Sequence, residues 1–196
     1  DGFDIAIHYN RNKKLAEQIK NEVTKLGRNA IIVSADINDS NQVSEMIDLI
    51  VRRFDTISVV VNCATSGLPN IKFKDLEWDK IQEQVDINVK ASFNIMKSVT
   101  PIMEKNKYGK IINISTQYIE QPKTELLHYI TAKSALHGFT KALAVELAPK
   151  GIRINLISPG MTETELISNV PEKVKLVTAA QTPLRTLANP KDIAGA

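Results

Sequence analysis

A single cysteine, Cys63, stands in a chain of 196 residues. One thiol makes no intrachain disulfide, so the fold must rest on a packed core, and a reducing compartment, the cytoplasm, is the expected setting. An excess of charge is also missing. The 25 Lys and Arg against 22 Asp and Glu leave +3, too little to make nucleic acid an expected partner. No apolar run approaches the roughly 20 residues of a membrane helix, so no membrane partner is expected. The three histidines, His8, His128 and His137, have no ligand spacing, and no metal site is expected. Internal repeats, low-complexity segments and linkers are absent. What remains is 43% hydrophobic and 24% charged, the make-up of one globular domain with a sizeable core.

Alternating apolar residues predict a strand over residues 4–9, followed by Asn10, Arg11 and Asn12. Residues 13–26 read as an amphipathic helix with Leu15, Ile19, Val23 and Leu26 inside, closed by Gly27. A second strand over 30–35 leads to Asp36. Asp39 or Ser40 then caps a helix burying Val43, Met46, Ile47 and Ile50. Residues 57–61, apolar except for Ser58, read as a central parallel strand. A long helix over 77–105, a strand over 111–114, a second long helix and a strand over 152–157 follow, then a helical, loop-rich tail over 161–196. Strands alternating with helices predict an α/β doubly wound parallel sheet in three layers. Ligands of such sheets lie beyond the carboxyl ends of the strands. Arg11, Asp36, Asn62, Ser115, Thr116, Pro159 and Gly160 all fall there.

The chemistry concentrates in residues 111–148. Tyr129 and Lys133, four apart, lie one above the other on a helix face. A free tyrosine has a pKa of about 10 and is a poor acid at neutral pH. A neighbouring ammonium favours the phenolate and lowers that value. Such a pair can protonate an alkoxide or take a proton from an alcohol. Ser115 and Thr116 bring hydroxyls able to bond a carbonyl oxygen. Together they point to carbonyl/alcohol redox chemistry with a cofactor moving the hydride. Alone, Y-x-x-x-K also recurs on many solvated helix faces.

In this context the stretch resembles the short-chain dehydrogenase/reductase family, whose pattern is a serine followed by Y-x-x-x-K. The likeness covers the whole chain and implies a single Rossmann-like domain over 1–196. Thr116 stands at the serine position by the commonest spacing, with Ser115 as the alternative. Asn88 resembles the helix asparagine that distorts its helix and holds a water on the proton relay to the lysine. The resemblance thus implies a catalytic set of Tyr129, Lys133, Thr116 or Ser115, and Asn88.

For the cofactor, the family places an acid after the strand at 4–9 to take NAD ribose, or a base to take the NADP phosphate. Tyr9-Asn10-Arg11 holds no acid, which favours NADP(H) over NAD(H), with Arg11 the phosphate partner beside Asn10. Asp36 matches the aspartate on the adenine amino group; a turn aspartate is the other reading. Asn62 and Ala64 match the family's N-N-A-G, here N-C-A-T, with Cys63 read as a buried thiol. Pro159, Gly160 and Thr164 match P-G-x-x-x-T, which meets the nicotinamide carboxamide. Tyr129 and Lys133 also contact the cofactor in the family.

The segments H-Y-N-R, G-F-T-K-A-L-A-V-E-L-A-P-K-G-I-R-I-N and P-L-R-T-L-A-N-P-K-D-I-A are most similar to bacterial 3-oxoacyl-[acyl-carrier-protein] reductases. The resemblance implies fatty acid biosynthesis, a 3-oxoacyl thioester substrate and acyl carrier protein as partner. A sugar or small-alcohol dehydrogenase, or a non-catalytic scaffold, are the other readings. Residues 161–185 would line the substrate pocket as a lid. Family members form homodimers and homotetramers; Phe93, Met96, Val99 and Met103 suit such an interface, and core burial explains them equally well. The family's T-G-x-x-x-G-x-G turn, the strand before it and a last strand find no match. A fragment of a longer chain is therefore expected, with two unpaired edges at the strands of 4–9 and 57–61.

Overall fold

The computed structural model describes residues 2–196. Among the described residues, five strands and seven α-helices follow one another in a β/α order, with two helices between the third and fourth strands and two after the fifth. β1 (Ile5–Tyr9) and β2 (Ala30–Ser34) pair in parallel, from Ile5 with Ala30 to Tyr9 with Ser34. β3 (Val59–Asn62), β4 (Gly109–Ile114) and β5 (Ile152–Ile157) form a second sheet in that order. This is a Rossmann-like α/β fold whose strands divide into two sheets. One side of β1 and one side of β3 have no strand partner among the described residues.

The chain clusters into two compact units. The first takes the chain up to Val60, with Lys90–Lys110 and Leu147–Arg153. Here α1 (Lys13–Lys25) starts where Asn12 Oδ1 accepts the Leu15 N–H at 3.0 Å. It packs on β1 and β2, but this two-stranded sheet is too narrow to cover its apolar stripe. Ala16 is its buried residue, while Leu15 and Ile19 are exposed and Leu26 is 80% exposed, contrary to the amphipathic reading. α2 (Ser40–Phe54) is capped by Asp39, whose carboxylate accepts from Asn41 and Gln42. It buries the expected Val43, Met46, Ile47 and Ile50. α2 packs on α4 (Ala91–Lys105). Met96, Val99 and Met103 of α4 are core, and only Phe93 of that interface set is exposed. After α5 (Leu127–Leu147) a short turn ends at Gly151, with φ +80°, where a side chain would meet the Lys107 carbonyl.

The second unit holds Val61–Val89, Ile111–Glu146 and Ile154–Ala196. The helix expected over 77–105 begins here as α3 (Trp78–Val85) and passes into a π-helical turn at Asp86–Lys90. Val61 is 53% exposed rather than buried, since β3 has a neighbour on one side only. α5 buries Ala132, Leu136 and Thr140. The tail folds as α6 (Glu172–Gln181) and α7 (Pro190–Ala194). α7 carries a capping box: Asn189 Oδ1 accepts the Lys191 and Asp192 N–H groups, and Asp192 Oδ2 accepts that of Asn189. No helix among the described residues is long and apolar enough to cross a membrane.

Candidate active site

At the end of β4 the chain leaves the sheet through Ser115 and Thr116, both buried, and soon enters α5. Tyr129 and Lys133, one turn apart on α5, are buried too. Lys133 Nζ donates to the Ile114 carbonyl at 2.7 Å and lies 5.7 Å from the centroid of the Tyr129 ring. Thr116 has an extended backbone, and its hydroxyl accepts the Tyr118 N–H at 3.3 Å. The Thr116 side chain also acts on the Tyr129 phenol, drawing its pKa down. The Ser115 N–H is spent on Ile157 O at 2.7 Å, and its buried Oγ has no partner among the described residues. Of the two candidate hydroxyls, Thr116 is the one that acts on the phenol's pKa.

Electrostatics correct one expectation. The Tyr129 phenol is pushed up from its usual pKa, not lowered: burial dominates, the Thr116 side chain draws it back, and Tyr118 adds to the rise. The spacing shows the ammonium but not the desolvation that outweighs it. Burial also acts on Lys133, lowering its pKa to about 8 against the upward pull of Cys63. Tyr129 is thus held as the neutral phenol, the form that gives a proton. Cys63 is exposed, not the buried thiol expected. Partial desolvation still raises its pKa, opposed by Lys133.

The end of β3 is anchored by polar side chains. Asn62 Nδ2 donates to Asn113 Oδ1 at 2.7 Å, and Asn113 Nδ2 donates to Thr140 Oγ1 at 2.8 Å. Thr140 Oγ1 in turn donates to Leu136 O at 2.7 Å. This row fixes where Asn62 and Ala64 leave the sheet and ties β4 to α5. Asn113 and Thr140 escape motif reading, although a polar residue inside the apolar run Ile111–Ile114 is itself a signal, since a buried amide demands partners.

Asn88 lies in the π turn, is 2% exposed, and donates Nδ2 to Gln84 O at 2.8 Å and to Gln84 Oε1 at 3.3 Å. The helix is distorted at Asn88, as the resemblance implies. Gln84 also went unread in the sequence; its cue is its place one turn before Asn88. After β5, Pro159 O accepts the Gln117 N–H at 3.0 Å, and a side chain at Gly160 would meet that of Gln117. Thr162 Oγ1 donates to Gly160 O, and Thr164 is exposed. The P-G-x-x-x-T segment is therefore held against the loop that carries Thr116.

In the first unit, Asn10 and Arg11 form the exposed turn between β1 and α1. Arg11 has no ion pair among the described residues. Asp36 follows β2; its Oδ1 accepts the Asn38 N–H at 3.0 Å, so it serves a local turn with one oxygen.

A family model described as Enoyl-(Acyl carrier protein) reductase matches residues 1–196. The chain is 30% identical over 196 residues to the 3-oxoacyl-[acyl-carrier-protein] reductase FabG of Staphylococcus aureus, spanning 99% of this chain and 78% of that one. It is 32% identical to the uncharacterized oxidoreductase YmfI of Bacillus subtilis, over 100% of this chain and 79% of the relative. Among solved structures, a blue fluorescent protein from a metagenomic library in complex with NADPH superimposes with a TM-score of 0.89 at 29% identity, covering 100% of this chain and 78% of the other. An NAD+-bound xylitol dehydrogenase gives a TM-score of 0.87 at 25% identity, covering 97% and 81%. Fold and site define an NAD(P)-dependent oxidoreductase acting on CH–OH groups. The chain belongs to the short-chain dehydrogenase/reductase family.

Proposed function

We propose that the protein reduces the ketone of a 3-oxoacyl thioester to a secondary alcohol with NADPH. The observation that carries the reading is one buried set of Thr116, Tyr129 and Lys133, with Lys133 Nζ 5.7 Å from the centroid of the Tyr129 ring and Thr116 drawing the phenol's pKa down. The Thr116 hydroxyl orients the carbonyl oxygen. Tyr129 gives its phenolic proton to the oxygen as charge develops there. Lys133, positioned by the Ile114 carbonyl, stabilises the phenolate that results, and Asn88 supports return of the proton. NADPH, when bound, supplies the hydride. An exposed Arg11 without an ion pair, in a turn that lacks an acid, fits the 2′-phosphate. Asn10, Asp36, Asn62, Ala64, Pro159, Gly160 and Thr164 are the further residues we assign to the cofactor. Acyl carrier protein as carrier of the substrate, and a homotetramer, complete the proposal; relatives named for that carrier support the first.

The test is NADPH oxidation, followed by absorbance, with an acetoacetyl thioester in the full-length protein and in Tyr129→Phe. Turnover in the wild type, reduced about 10²-fold or more in the variant, is expected for loss of a general acid. Equal rates would overturn the assignment of Tyr129. NADPH binding without turnover of the thioester, but with oxidation of a polyol by NAD⁺ or NADP⁺, would move the substrate to a sugar alcohol. Absence of cofactor binding would leave a scaffold.

A further inference from the structure

The loop after β3 departs from the family pattern at Cys63 and Thr65, yet it is held from outside. The holder is Gln84 of α3, a neutral side chain only 3% exposed. Its Nε2 donates to Ser66 Oγ at 2.7 Å and to the Gly67 carbonyl at 3.1 Å. Its Oε1 accepts the Asn88 amide at 3.3 Å. Both amide hydrogens therefore go to the loop, and the oxygen goes to the π turn. A primary amide buried among neighbours is tolerated when its donors and acceptor are all used, and here the use is divided between two pieces of the site.

We propose that Gln84 is a positioning residue: it sets the loop that carries Cys63 and Ala64 in the conformation that receives the nicotinamide cofactor. The inference rests on the nicotinamide-dependent reading given above. Asn88 itself does not depend on this side chain, because the Gln84 main-chain carbonyl also accepts its amide, at 2.8 Å. Changing the Gln84 side chain thus releases the loop and leaves the Asn88 turn tied. The effect falls on cofactor affinity rather than on the chemical step. The chemistry of the amide is specific. A glutamate at this position would accept from Asn88 and from the Ser66 hydroxyl, but it has no hydrogen for the Gly67 carbonyl and would set a negative charge against it. A leucine would fill the space and leave Ser66 Oγ and Gly67 O without their donor.

The experiment uses the full-length protein with Gln84→Glu, Gln84→Leu, Ser66→Ala and the double variant Ser66→Ala/Gln84→Leu. NADPH dissociation constants come from fluorescence titration, and cooperative melting confirms folding. Both Gln84 variants should weaken NADPH about tenfold or more, the scale of unmade buried hydrogen bonds. KM for NADPH should rise by a similar factor, with kcat at saturating NADPH within about twofold of wild type. Ser66→Ala should cost about threefold, and it should cost nothing further in the Gln84→Leu background, because both changes remove the same contact. A folded Gln84→Glu that binds NADPH like the wild type overturns the proposal, as does full additivity in the double variant. Should the Gln84 variants fail to fold, Ser66→Ala decides alone, and unchanged affinity there overturns it. Wild type that binds neither NADPH nor NADH removes the functional reading and this inference together. Wild-type binding with unaltered Gln84 variants removes only the inference.

Discussion

Thr116 is where a single atom decides most. Its side chain lowers a Tyr129 pKa that burial raises. Thr116→Val keeps the shape and deletes the hydroxyl. We expect turnover to fall about 10²-fold, as for other groups that steer a proton, and the phenol to titrate still higher. Thr116→Ser should keep most activity. Steady-state rates and ultraviolet titration of tyrosine check both; full activity in Thr116→Val would transfer the role to Ser115. The four-residue spacing of Tyr129 and Lys133 was legible because helix periodicity is local. The sign of the Tyr129 shift was not, because desolvation depends on what packs over the ring. Cys63 was misjudged for the same reason: an apolar run before it says nothing about what covers the loop after it.

Elements were read best where one residue fixes a boundary. Asp39, one of the two expected caps, starts α2, and Ile152–Ile157 is a strand as expected. The stripe of α1 was misread because an amphipathic pattern gives a face but not the width of its partner, and β1 with β2 covers only Ala16 fully. The π turn was implied by resemblance alone; hydrophobic periodicity ran through it as one helix. Between α5 and β5 the conformation of Gly151 is demanding, with φ +80° and the Lys107 carbonyl where a Cβ would sit. Gly151→Ala should destabilise the fold by about 1–3 kcal/mol, the cost of left-handed backbone outside glycine, before any clash is counted. Urea denaturation measures it, and an unchanged midpoint would contradict the turn geometry.

For the molecule as a whole, pH acts through groups that folding keeps neutral. Burial lowers the pKa of His128 below 6.5, despite Glu83, and lowers that of Lys133 from 10.5 to about 8. The unfolded chain then binds more protons than the native one, so stability rises with pH across each window. It should be lost as pH falls below 6.5 and gained between about 8 and 10. Above pH 10 the Tyr129 phenol, whose pKa is raised, reverses the slope, because the unfolded chain ionises first. Urea midpoints against pH test this. His128→Phe should flatten the acid limb, and a wild-type profile level from pH 5 to 7 would refute that role for His128. The Rossmann-like class was legible because strand and helix periods alternate along the whole chain. The division into two sheets was less so, since pairing is a property of neighbours that no single segment records. The exposed Cys63 has a practical consequence at this scale. As the sole thiol of the chain, it accepts one maleimide dye per molecule with no engineered cysteine. The raised pKa calls for mildly alkaline labelling. The fluorophore would then sit on the very loop that Gln84 holds, an optical gauge of its motion.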